Sequence, residues 1–136
     1  MCNLIFSQLL FLLPHQKTYN QALALLKKND VTNALLVLDT LETNTAATLL
    51  LRQKAIFLKG DVHFNLNEND LARDEYLKLA GASLADELRK DKVCFQLAMC
   101  YYRLEDRNCA NQWWQTILSE VPNTPLRKQI EFWLGK

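Results

Sequence analysis

The chain has little of what usually punctuates a fold. It has three glycines and three prolines in 136 residues, and no Gly-, Ser- or Pro-rich stretch sets one part off from another. A single domain, residues 1–136, is therefore the expected organisation. There is also no excess of charge. Sixteen Lys and Arg face fifteen Asp and Glu, a formal balance of +1, which argues against binding nucleic acid by neutralising phosphates. β-Branched residues are few beside Leu, Ala, Lys, Glu and Gln, so strands are not expected and an all-α fold is.

Chemistry-bearing patterns are sparse too. Cys2, Cys94, Cys100 and Cys109 form no CxxC pair, and His15 and His63 stand far from them in sequence, so metal-ligand spacing is absent. The isolated glycines make no phosphate-cradling loop. Ser7, Ser83 and Ser119 lack a nucleophile-elbow context. Adjacent carboxylates at Asp74-Glu75, Asp86-Glu87 and Glu105-Asp106 fall on polar helix faces or turns, not in the apolar setting a general acid needs. No catalytic residue, metal or cofactor is expected, and no small-molecule substrate. Cys94, Cys100 and Cys109 read as reduced packing thiols, which favours a cytoplasmic location.

Residues 1–13, MCNLIFSQLLFLL, are too short to span a bilayer as a helix. No basic residue precedes the apolar run and no small-x-small cleavage site follows it. The expectation is an apolar helical extension over 1–14, kinked or restarted at Pro14. A targeting segment, with a periplasmic or envelope location, and a cut from a longer protein are the alternatives. Any membrane association is expected only through residues 1–13.

What the chain does have is a repeated layout, clearest from Asp91 to Pro122. Cys94, Leu97, Ala98 and Tyr101 fall on one helical face, and Leu104 extends it. A polar turn follows, with Asn108 as the expected N-cap of a second helix carrying Ala110, Trp114 and Ile117. Stepping back by 38 residues, Ala98 meets Gly60 and then Ala22, and Ala110 meets Ala72 and Ala34. Trp114 meets Tyr76 and Leu38, Ile117 meets Leu79 and Leu41, and Asp106 meets Glu68 and Asp30. The cap Asn108 meets Asp70 and Thr32. Three copies of a helical hairpin keep step without gaps, and one hairpin cannot bury its own apolar faces.

The residues Leu97-Ala98, Tyr101, Ala110, Trp114 and Pro122 resemble the tetratricopeptide repeat, whose usual period is 34 residues. The second copy keeps Gly60, Ala72 and Tyr76, with Lys59 and His63 in place of the usual Leu and Tyr. The likeness covers about residues 15–122. It implies a right-handed superhelical solenoid, divided into 15–44, 45–82 and 83–122. Residues 123–136 would close it as a capping helix, with Thr124 and Pro125 at its start. The added four residues per repeat imply one helix a turn longer, with first helices beginning near Thr45 and Leu84. Paired helices would start near Thr32, Asp70 and Asn108, and Gly81 would close the middle one.

The resemblance also implies where a partner binds. In the family, the first helix of each repeat lines a concave face through fixed columns. Carried over by register, these are Tyr19, Leu23, Leu26 and Lys27; Phe57, Asp61, Phe64 and Asn65; Phe95, Met99, Tyr102 and Arg103. Family members that clamp a C-terminal carboxylate use Lys and Asn in such columns, where aromatics stand here. The expected function is a non-enzymatic protein-interaction module or scaffold binding a protein, peptide or helix. An exported, envelope-associated assembly factor is the alternative.

Overall fold

The computed structural model describes the backbone of residues 2–136 and the side chains of residues 14–136. Among the described residues the chain is all helical, with no strand: α1 (Cys2–Lys27), α2 (Val31–Thr43), α3 (Leu49–Asn65), α4 (Asn69–Ala80), α5 (Lys90–Arg103), α6 (Arg107–Glu120) and α7 (Arg127–Leu134). Sequence neighbours pack together: α1 on α2, α4 on α5, α5 on α6 and, more lightly, α6 on α7. The chain divides into two compact units, Met1–Lys59 and Gly60–Lys136. None of the described helices is long and apolar enough to cross a membrane. The environment of the residue 1–13 side chains lies outside the described residues.

Each helical hairpin turns by the same device. Asn29, Asn67 and Glu105 take left-handed backbone with φ of 61°, 61° and 65°. The next residue's N–H then reaches back five positions: Asp30 to the Leu25 carbonyl, Glu68 to His63 and Asp106 to Tyr101, each at 2.9 Å. The left-handed residue's own N–H bonds the carbonyls of Leu26, Phe64 and Tyr102 at 3.0–3.1 Å. This pair of bonds is the Schellman closure of a helix C-terminus. The residue that completes it also opens the following helix, so no slack separates the two. The three turns recur at the 38-residue spacing of the sequence pattern.

The caps lie two residues earlier than the sequence reading places them. Asp30, Glu68 and Asp106 are the N-caps, not Thr32, Asp70 and Asn108. Asp30 accepts from the Asn33 N–H and Asp106 from the Cys109 N–H, the usual bond to the third residue of a helix. Glu68 makes no such bond; its longer side chain pairs with His63 Nδ1 at 3.2 Å instead. Glu68→Asp is therefore expected to stabilise α4 by about 0.5–1 kcal/mol despite losing the histidine contact. A urea midpoint that fails to rise, with unchanged m-value, would count against this account of the turn.

Two first helices start later than expected. Asn44 Oδ1 accepts from the Ala46 N–H and Thr48 Oγ1 from the Leu51 N–H, so residues 44–48 form a side-chain-bonded turn and α3 begins at Leu49. Residues 84–89 are likewise outside the helix, and α5 begins at Lys90, not near Leu84. Gly81 ends α4 with φ −89°, so its left-handed freedom is not used. Pro14 lies inside α1 with no restart there, and Thr18 Oγ1 donates to its carbonyl at 2.9 Å. At the last helix, Thr124 Oγ1 accepts from the Leu126 N–H, and α7 proper begins at Arg127.

The late start of α5 has a cause in Asp91, which is 4% exposed. Its carboxylate takes two bonds from Arg89, one from Thr124 Oγ1 at 2.7 Å and one from the Lys92 N–H at 2.9 Å. Burial pushes its pKa up, but the Arg89 and Thr124 hydrogen bonds outweigh that and hold it below its ordinary 3.8. A carboxyl with a lowered folded pKa adds stability above its ordinary pKa and loses it as pH falls through the folded value. Asp91→Asn is thus expected to cost roughly 2 kcal/mol at pH 7, the scale of a charge-assisted hydrogen bond. The gap from the parent should narrow below pH 3.8, read from melts across the acid range. A gap that stays constant would mean Asp91 is not the ionised partner.

The cores are the register columns. In the first unit Ala22, Leu38, Leu41, Ala47 and Ala55 cluster, all buried. In the second, Cys94, Ala98, Ala110, Trp114, Ile117 and Ile130 do. Ala34, Ala72 and Ala110 are each fully buried, as close helix contact requires. Lys59, in register with Leu97 of the third copy, is 7% exposed and is held by Asp39 at 2.5 Å and Glu42 at 2.9 Å, so ion pairs take the place of packing. Burial pushes the Cys94 and Cys100 thiols up to about 11 and about 12, which keeps them neutral packing groups.

Candidate partner-binding face

Of the twelve residues carried over by register, five lie in the first unit. Tyr19 is half-buried and packs against the Ala22–Leu38–Leu41 cluster, with the Lys54 ammonium 4.7 Å from its ring centre. Leu26 and Phe57 are half-buried, whereas Leu23 and Lys27 are exposed. Helical spacing sets this split: Ala22 faces the core, so Tyr19 and Leu26, one turn to either side, only graze it.

The other seven lie in the second unit. Phe95, Met99 and Tyr102 project from α5 and pack on the outside of its core. Phe95 and Tyr102 both meet the buried Trp114 ring, at 6.5 and 6.1 Å between centres. Tyr102 is also met edge-on by Trp133 of α7 at 5.0 Å. The Arg103 guanidinium lies 3.7 Å over the Phe64 ring and donates to the Phe64 carbonyl at 3.2 Å. Asn65 is exposed.

Asp61 is a structural group more than a rim charge. Its Oδ1 accepts from the Tyr76 hydroxyl at 2.5 Å, and Gln96 Nε2 donates to that hydroxyl at 3.5 Å. Burial raises its pKa, and the Tyr76 and Gln96 hydrogen bonds only partly offset this. The carboxyl anchors the α4 tyrosine to α3.

None of these register-matched aromatics belongs to the fully buried core, yet none projects freely into solvent either. Their rings are half-covered, and of the cations that cover them only Arg103 was picked out by the sequence reading. Arg107, over Tyr102 at 5.3 Å, and Lys54 lie outside the columns carried over by register. Trp133 did carry a signal, since it stands 38 residues after Phe95 and continues that column into the last helix.

Two surface depressions lie elsewhere and include none of the twelve. One is lined by Gln112, Gln115, Thr116, Ser119 and Glu120 on α6, the other by Gln21, Ala24, Leu25, Lys28 and Val37 of the first unit. Neither gathers titratable groups in an apolar setting. No group of three or more His, Cys, Asp or Glu side chains comes together as metal ligands among the described residues. No family model, curated protein or solved structure matches the chain.

Proposed function

We propose that the chain is a right-handed superhelical solenoid of tetratricopeptide type, closed by α7, and that it works as a protein-interaction module. It binds an apolar-anchored peptide or helix through the first-helix columns. One observation carries this reading. Tyr19, Phe57, Phe64, Phe95 and Tyr102 stay bulky in register yet outside the buried core, which other columns, such as Leu38, Tyr76 and Trp114 with Ala34, Ala72 and Ala110, already fill. A chain selected for stability alone has no need of aromatic side chains at half-exposed first-helix positions in each copy, whereas aromatic anchors commonly dominate interface energy. The recurrence of one Schellman turn at 38-residue spacing supports the repeat character.

The test is selection of binding peptides from a displayed random library by the whole chain and by a Phe57→Glu, Phe95→Glu variant of verified helicity. The parent is expected to enrich peptides with regularly spaced apolar residues, and the variant to lose them. Equal enrichment by both proteins would place binding on another surface.

A further inference from the structure

Several cations of the second unit have a carboxylate partner among the described residues, and others, the exposed Lys92, Lys128 and Lys136 among them, have none. Lys78 meets Glu75, Arg89 meets Asp91, Lys90 meets Glu120 and Arg127 meets Glu131. Arg103 and Arg107 have no ion-pair partner among the described residues, and residues 1–13 contain no carboxylate. Asp106, beside Arg107 in sequence, is bound to the Cys109 N–H, and Asp61 accepts from the Tyr76 hydroxyl.

Arg107 is the sharper case. It is half-buried between the Tyr102 ring and α7, where it donates to the Trp133 carbonyl at 3.4 Å. Its Nε is buried without an acceptor. Taking a guanidinium out of water without a counter-charge costs free energy, and such groups normally find a partner. Arg103 is exposed, but stacking on Phe64 and bonds to the Phe64 carbonyl and Asn69 Oδ1 fix its plane. Each guanidinium therefore borders a half-covered ring. A planar fork of N–H donors suits a carboxylate, and the adjacent apolar surface strengthens the attraction.

We infer that the segment received on this face carries side-chain carboxylates beside its apolar anchors, and that Arg107 and Arg103 bind them; the inference rests on the interaction-module reading above. Partner binding then supplies the counter-charge that the free protein lacks at Arg107. The requirement is for Asp or Glu side chains, not for a chain end.

Random peptides a few helical turns long, displayed with and without a free C-terminus, are the probe. Both libraries should yield pools rich in Asp and Glu next to apolar residues. In a selected peptide, Glu→Gln should weaken binding about tenfold. Arg107→Gln and Arg103→Gln in the protein should each reduce that difference, with Arg103→Gln carrying the test if the Arg107 variant fails to fold. A second readout separates binding from structure: Arg107→Met should leave the melting temperature unchanged or raise it, because an unpaired half-buried charge is replaced by an apolar chain. Apolar pools without acids, dependence on a free C-terminus, or a Glu preference untouched by both arginine variants would overturn the inference and leave the module reading standing. A lower melting temperature for Arg107→Met would make the guanidinium structural and overturn its assigned role. Failure to enrich any peptide would instead count against the module reading itself.

Discussion

Trp114→Ala is expected to destabilise the second unit by about 3–5 kcal/mol, the scale of a large aromatic lost from a close-packed core. Trp114 is fully buried, and three other rings pack on it: Phe95, Tyr102 and Trp133, with centres 6.0–6.5 Å away. Its removal opens a cavity where α5, α6 and α7 meet, and those half-exposed rings cannot fill it without leaving their helices' faces. One term works the other way. Trp114 Nε1 is buried without an acceptor, so deleting it also relieves an unpaired donor. Trp114→Phe should for that reason lose much less than the alanine variant. Denaturant melts of both variants check the prediction, and a loss for alanine below about 1 kcal/mol would show that the ring is not the unit's central packing element.

Gly60→Ala is expected to cost about 1–3 kcal/mol, the reverse of the usual result for a helix interior. Alanine gains roughly 0.5–1 kcal/mol over glycine in a helix through backbone entropy alone. Here a Cβ would stand 2.5 Å from Tyr76 Cε1 and 2.9 Å from two further ring atoms. The ring cannot easily tilt away, because its hydroxyl is bonded to Asp61, the residue next to the glycine. Overpacking therefore outweighs propensity. The equivalent positions are Ala22 beside Leu38 and Ala98 beside Trp114, so the opposing side chain decides which small residue is tolerated. Tyr76→Phe frees the ring from Asp61 and should shrink the Gly60→Ala loss in a double-mutant cycle. Additive losses would mean the two residues do not constrain each other.

Period and polarity made much of this fold readable in advance. The α1–α2 hairpin, the paired helices α4 and α6, and the buried columns at Ala34, Leu38 and Leu41 follow from helical spacing repeated every 38 residues. Helix starts were less legible because several side chains compete for them. Thr48 and Asn44 bond the local backbone ahead of α3, and Asp91 draws Arg89 and Thr124 to itself at the start of α5. Caps were misplaced because Asn108 and Asp70 are as good by residue type as Asp106 and Glu68. Only the left-handed residue before the cap decides between them, and φ is not written in a glutamate such as Glu105. On the candidate face the aromatic columns were visible, and so was Arg103 over Phe64, whereas the cations over Tyr19 and Tyr102 were not. Lys54 and Arg107 reach their rings through long flexible side chains, which register does not fix.

The central claim is that the aromatic columns serve binding more than folding, and Phe57→Ala tests it most directly when stability and affinity are measured on the same sample. Phe57 is half-buried, so its removal should cost only about 1–2 kcal/mol in a denaturant melt. Affinity for a peptide selected by the parent chain should fall tenfold or more, on the scale of an interface anchor of about 2 kcal/mol. A loss of several kcal/mol in stability with the peptide still bound at parental affinity would contradict the account, making the column a part of the core.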